Sequence, residues 1–182
     1  EPQVSPTAST LHAVVFADSS NGWVVGDSGP IIHTTDGGGN WTTQTTGTMI
    51  PLKDVRFPDV NHGWAVGGIS WYDSTNHSAH VILHTTNGGD VWTTQLSDTG
   101  FILPGVDFVD VNNGWAVASQ WTDSLRGIVL RTTDGGGSWI QQNIMIHSWL
   151  SGVDFVDANN GWAVGGFARC HNGFGSEEST IL

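Results

Sequence analysis

The stretch TTDGGGNW (34–41) returns as TTNGGDVW (85–92) and TTDGGGSW (132–139), each time after a Gly-Trp pair that ends at Trp23, Trp64 or Trp115. A fourth Gly-Trp, ending at Trp162, has no such copy after it. This recurrence constrains the chain more than its composition does, because short units that each expose an apolar face must stack on their neighbours to bury it. Spacing separates the fixed part of the unit from the variable part. From the Trp that closes one copy to the next Gly-Trp is always 23 residues, 41 to 64, 92 to 115 and 139 to 162. From Gly-Trp to the closing Trp it is 18, then 28, then 24, so all variation in length falls in one loop.

Within a unit the pattern is that of strands. LHAVVF, LKDVRF, LPGVDF and LSGVDF, starting at Leu11, Leu52, Leu103 and Leu150, alternate two sets of side chains and fit a first strand. DSSNG, DVNHG, DVNNG and DANNG follow, and their Asp, Asn and Gly suit a tight reversal. GWVVG, GWAVG, GWAVA and GWAVG form a second strand, and IIHTT, VILHTT and IVLRTT a third. After the Gly-Gly turn, WTTQ, WTTQ and WIQQ form a fourth. Four short antiparallel strands in each unit of about 40 to 50 residues predict an all-β propeller. A β-solenoid is the alternative, but its repeats are shorter and lack a paired reversal after every strand.

The expected division is three complete blades, 11–51, 52–102 and 103–149, with an incomplete fourth at 150–182. Residues 1–10 read as the tail of a preceding blade's last strand, with Gln3 falling under Gln44, Gln95 and Gln142. Three arrangements remain open: a segment of a longer propeller of about seven blades, a closed ring of four, or an open blade of one copy completed by the next. Two contacts are predicted from the register. Trp23, Trp64, Trp115 and Trp162 occupy equivalent buried positions between blades, and Arg56 pairs with Asp107 of the next blade.

Composition removes whole classes of function. Three Glu and one Lys, beside 10 Trp and 25 Gly, disfavour helix. A net charge of -12 with five Lys plus Arg leaves no basic surface for nucleic acid or for an anionic membrane. No apolar run approaches the roughly 20 residues that span a bilayer, so no membrane insertion is expected. The single Cys170 gives neither an internal disulfide nor a thiolate zinc site. The sequons at Asn40 and Asn76 read as chance occurrences.

Candidate binding residues fall in the loops between second and third strands, at 26–30, 67–80, 118–127 and 165–179, on the side opposite the Gly-Gly turns. Trp71, Tyr72 and Asp73 in one loop, and Trp121 and Asp123 in another, set an aromatic plate beside a carboxylate, a pairing suited to a sugar ring. The competing reading folds each Trp down into its own loop. Met49, Ile50, Phe101, Ile102, Met145, Ile146 and Trp149 lie near the same rim and suit a protein partner if exposed together. No GxSxG or HExxH occurs, and no catalytic residue is nominated. His77 and His80 read as solvated loop histidines, and His33 and His84, replaced by Arg131 in the third unit, as packing or edge positions. Asp18, Asp59, Asp110 and Asp157 read as turn caps, as do Asp36 and Asp134, because Asn87 replaces them in the second unit. No metal or cofactor is expected.

Thr34-x-Asp36-x-Gly38-x-x-Trp41 and Thr132-x-Asp134-x-Gly136-x-x-Trp139 resemble the Asp-box, or BNR repeat, of sialidases and other propellers. With the LxxVxF and NGWAVG strands, the unit resembles the photosystem II assembly and stability factor-like repeat family over essentially the whole chain. The resemblance implies that the Asp-box is a structural turn remote from any active site. It does not imply sialidase activity, which needs three converging arginines and a Tyr/Glu pair. Here Arg56 and Arg131 lie in strands, and the one tyrosine is Tyr72. The arginine-rich patch of the photosynthetic assembly factor is also missing. The expected function is a non-enzymatic, extracytoplasmic propeller, secreted, extracellular or periplasmic, that acts as a binding or structural surface module through a protein partner or self-association. Two alternatives stand beside it. One is a carbohydrate-binding or carbohydrate-active propeller; the other is a subunit of a surface filament or layer built by strand completion.

Overall fold

The computed structural model describes residues 3–70, 78–121, 125–142, 148–168 and 177–181. The first antiparallel sheet runs in chain order, β1 (Leu11–Phe16), β2 (Gly22–Gly26), β3 (Ile31–Thr34) and β4 (Thr42–Gln44). The second contains β5 (Leu52–Arg56), β6 (Gly63–Ser70), β7 (Ser78–Thr85) and β8 (Thr93–Thr99). The third contains β9 (Ile102–Phe108), β10 (Gly114–Trp121), β11 (Leu125–Thr132) and β12 (Ile140–Gln141). The fourth has three strands, β13 (Trp149–Phe155), β14 (Gly161–Ala168) and β15 (Glu177–Ile181). These are the blades of an all-β propeller, three complete repeats and an incomplete fourth. Among the described residues no helix is long and apolar enough to cross a membrane.

Local chemistry sets each reversal. Asp18 Oδ1 accepts the backbone N–H of Ser20 and of Asn21, both at 2.7 Å. Asp59, Asp110 and Asp157 do the same in the later blades. The Gly before each Trp is a matter of space: a Cβ at Gly63 would stand 2.2 Å from the Phe57 ring, and at Gly114 2.4 Å from Phe108. The first strand lays its Phe across the start of the second, and only Gly leaves room for it.

The core lies in the seams between blades. Trp23, Trp64 and Trp115 are 0%, 0% and 3% exposed, and Leu52, Leu103 and Leu150 of the following blades are likewise buried. Trp162 departs from the expected equivalence at 50% exposure, and Phe16 at the other end of the array is 44% exposed. Burying these rings takes a blade on each side, and each has a neighbour on one side only.

The variable loops are shorter than alignment to the first blade predicted. β6 and β7 pair as far as Ser70 and Ser78, and β10 and β11 as far as Trp121 and Leu125. Residues 68–70 with 78–80, and 119–121 with 125–127, thus extend the central hairpin of blades 2 and 3. Residues 3–10 form no strand.

Candidate functional site

The Asp-box turns are built from side chains that take the place of backbone. Thr34 Oγ1 donates to Asp36 Oδ1 at 2.8 Å and accepts the Gly38 N–H at 2.9 Å. Asp36 also accepts the Asn40 side-chain amide at 2.7 Å and the Asn40 backbone N–H at 2.8 Å. These bonds, the Asn40 side chain first, bring the Asp36 carboxyl down to about 2. Thr132, Asp134, Gly136 and Ser138 repeat the turn in blade 3. In blade 2, Asn87 Oδ1 accepts from Thr85 Oγ1 at 2.9 Å and from the Val91 N–H at 3.0 Å. The turn needs an acceptor oxygen at this position rather than a charge, which is why Asn stands in for Asp.

Each turn also receives the blade before it. Gly88 O accepts both Trp23 Nε1–H and the Gln44 side-chain amide, each at 3.0 Å. Gly135 O accepts Trp64 Nε1–H at 3.2 Å and the Gln95 amide at 2.7 Å. The Gln lies across the second glycine, where Gly38, Gly89 and Gly136 have φ of 94°, 93° and 85°, a backbone region that L side chains rarely adopt. Trp92 Nε1 donates to Gln44 Oε1 at 3.1 Å, and Trp41 Nε1 to Gln3 Oε1 at 2.9 Å. Gln3, in a segment with no strand, therefore meets blade 1 as Gln44 meets blade 2. The bond is not repeated in the next seam, where Trp139 Nε1 and Gln95 Oε1 are buried without partners.

Aromatic rings complete the seam. Phe57 stacks on Trp23 and Phe108 on Trp64, both at 3.6 Å, and Phe155 stacks on Trp115 at 3.7 Å. His33 and His84 stack on the same Trp23 and Trp64 at 4.6 and 4.5 Å, and the Arg131 guanidinium lies 5.4 Å over Trp115. The third-strand position is thus a packing position, as its His-to-Arg exchange predicted.

On the opposite rim the ties between blades differ at every seam. Lys53 Nζ of blade 2 lies 3.3 Å from Asp27 Oδ1 and 2.9 Å from His12 Nε2, and His12 Nε2 lies 2.6 Å from the same Asp27 oxygen. One imidazole nitrogen cannot donate to Asp27 and accept from Lys53 at once, so the two contacts compete. The His12 hydrogen bond, then Lys53, holds Asp27 below its ordinary carboxyl range. In the last seam Ser119 Oγ donates to Leu150 O at 2.9 Å and accepts the Leu150 N–H at 3.1 Å. Asp27, just past β2, and Gly68 and Ser119, on β6 and β10, hold equivalent positions after the Gly-Trp pair, and sequence reading missed their role because three unlike residues occupy them.

On the first strands, Arg56 Nε stands 2.8 Å from Asp107 Oδ1, the pair expected from the register. Its N–H does not point along that oxygen, so this is an ion contact without an aligned hydrogen bond. Asp107 Oδ2 accepts the Phe155 N–H at 2.6 Å, and Asp54 Oδ2 accepts the Val106 N–H at 3.0 Å, each in the next blade. Burial raises both carboxyls above the usual range, against these backbone bonds.

Trp71, Tyr72, Asp73 and Asp123 lie outside the described residues, as do His77, Met145 and Ile146. Trp121 ends β10 with its backbone opposite Leu125, and only that backbone is described. His80 is not a solvated loop residue. It lies on β7, fully buried and stacked on Phe101 at 3.9 Å, because β7 starts earlier than the shorter first blade suggested. Burial lowers its pKa, and Asp98 opposes that shift. Of the apolar rim residues, Met49 and Trp149 are exposed at 79% and 44%, while Ile50, Phe101 and Ile102 are half-buried. Among the described residues no three His, Cys, Asp or Glu are placed to hold a metal ion.

Comparison with known proteins points one way. The family profile for Photosynthesis system II assembly factor YCF48 matches residues 2–139. The Photosystem II assembly lipoprotein Ycf48 of Synechococcus sp. (strain CC9902) is 31% identical over 81 residues, 44% of this chain and 22% of that protein. A solved structure of YCF48 bound to D1 peptide superposes with a TM-score of 0.61 at 24% identity, over 96% of this chain and 54% of the other, and shares the fold. The chain thus spans about half of that structure and less than a quarter of the curated relative.

Proposed function

This chain belongs to the Photosynthesis system II assembly factor YCF48 family, and on that premise we propose that it is a non-enzymatic propeller module that binds a segment of a partner protein. The binding surface is the rim opposite the Asp-box turns. One observation carries the choice of rim: the repeated polar groups of the Asp-box side are engaged in holding turns and neighbouring blades. Thr34, Asp36, Gly38 and Trp41, with Thr132, Asp134, Gly136 and Trp139, are structural in this reading. A relative solved with a peptide bound supports the kind of ligand.

The contact residues in this reading are Trp71, Tyr72 and Asp73, which follow β6 in the chain, and Trp121 and Asp123, at and after the end of β10. The blades divide at 51/52, 102/103 and 149/150, and the site faces an extracytoplasmic compartment, as a lipoprotein relative would. Calorimetric titration with a D1 peptide tests the reading, with a neutral oligosaccharide as comparison. Binding of the peptide, weakened about tenfold or more by Trp71→Ala or Trp121→Ala, is the expected result. Saccharide binding without peptide binding, or peptide binding untouched by both variants, overturns it.

A further inference from the structure

The same third-strand position carries His33, His84 and Arg131, each opposite the seam Trp of its own blade. The three occupants solve one packing problem with different charge states. Arg131 brings a permanent cation whose Nε is buried without a partner, but its Nη2 carries the charge out of the seam to Ala158 O on the first turn of blade 4 at 3.1 Å. Its guanidinium also lies over the Trp115 ring, where a cation is favoured. An imidazole is shorter. The Nε2 atoms of His33 and His84 are buried and reach no partner. A neutral ring tolerates that at modest cost, whereas a protonated one would place an unmatched N–H and a charge inside the seam.

We propose that the first two seams of the array are acid-sensitive and the third is not, with His33 and His84 as the sensing groups and Arg131 as the fixed counterpart. Burial lowers the pKa of both histidines, which agrees in direction. The sign follows. A base with a depressed folded pKa contributes stability that is whole above its unfolded value, about 6.5, and is lost as pH falls through the folded value. Asp90, on the blade 2 Asp-box turn, favours charge on His33, and His62, beside Asp59 on the blade 2 first turn, opposes it on His84. Asp110 and Asp134 hold the corresponding turns of blade 3, where each is engaged by its own turn. His80 lies on β7 with His84, which is half-buried, and is itself fully buried.

The event is a loosening of packing, and its reporters are built in: Trp23 Nε1–H and Trp64 Nε1–H bond across those seams to Gly88 O and Gly135 O. Hydrogen exchange of the assigned indole N–H groups in the whole chain, read by NMR at about pH 7.5 and about pH 5, tests the proposal, with histidine ring titrations recorded alongside. The expected result is a fall in protection of about tenfold or more at Trp23 and Trp64 as their stacked histidines titrate. In His33→Arg and His84→Arg the fall is abolished at the substituted seam. His33→Gln and His84→Gln, neutral at both pH values, do the same if the larger side chain does not fit. Protection that stays constant in the parent chain overturns the proposal. So does a fall that persists unchanged in the Arg and Gln variants, which would place the sensor at His80 or the turn carboxylates.

Discussion

The Asp-box side and the opposite rim of the same blades differ in how freely their residues vary. On the Asp-box side, one carbonyl, Gly88 O or Gly135 O, receives a Trp and a Gln from the preceding blade, and the Gln lies on a glycine held at positive φ. Four residues of three types, a Trp, a Gln and two glycines, meet at one point, and none can change alone. On the rim, a seam is closed by Lys53 with Asp27 in one place and by Ser119 with the Leu150 backbone in another. A contact between two groups can be replaced by any other contact of similar reach. The repeat is therefore conspicuous where contacts converge and faint where they are pairwise.

The sharpest way to break this comparison is to empty a convergent point. Trp64→Ala should cost about 3–5 kcal/mol in chemical denaturation, because the ring is fully buried and stacked by Phe108 and His84. Trp162→Ala, at 50% exposure, should cost clearly less. Equal losses would mean that the seams do not hold the core. Next in size is Thr85→Val, which keeps the shape but leaves the Gly89 N–H without its acceptor, at about 1–3 kcal/mol. Ser119→Ala on the rim should cost only about 0.5–1.5 kcal/mol, and a loss as large as that of Thr85→Val would erase the distinction between the two sides.

Smaller per turn is the response to acid. The carboxyls of Asp18, Asp36, Asp110, Asp134 and Asp157 are depressed by hydrogen bonds within their own turns. Their contribution is present above the unfolded value near 3.8 and is lost as pH falls through the folded values, to about 2 for Asp36. Asp54 and Asp107, raised by burial, act with the opposite sign: their contribution is present below the unfolded value and is lost as pH rises through the folded one. Unfolding followed by Trp fluorescence should therefore steepen between about pH 4 and 2, and Asp36→Asn should flatten that limb slightly. The smallest effect belongs to Asn87→Asp, which restores the residue of the other two turns and should move stability by no more than about 0.5 kcal/mol. A larger change in either direction would show that charge matters at this position after all.

The same distinction explains what the sequence made legible. Repeated Trp, Gly and Gln at fixed spacing gave away the blades, the Trp-centred seams and even the place of Gln3, because each is bound to several others and recurs with them. The Arg56–Asp107 pair was legible from register alone. The position of Asp27, Gly68 and Ser119 was not, since it recurs as a place in space without recurring as a residue. His80 was misplaced for a related reason: the length of blade 1 served as the template, while the added residues of blade 2 pair with each other and carry His80 into a strand. Of the candidate binding site, the sequence offers the Trp-and-Asp pattern of two loops, and the structure contributes the paired strands that flank those loops in the chain.

Gln3 meeting Trp41 as Gln44 meets Trp92 has a consequence for how such a chain grows. Each of the three complete units carries both halves of its boundary: a Trp and a Gln to offer forward, and a Phe, a glycine carbonyl and a second Trp to receive from behind. A duplicated unit inserted between complete blades meets the same Trp, Gln and glycine partners on its Asp-box side, and only the rim contacts, which differ from seam to seam, have to be re-formed. Inheritance then acts on a length of chain rather than on a sheet, and the number of blades becomes a trait that can change in a single recombination event.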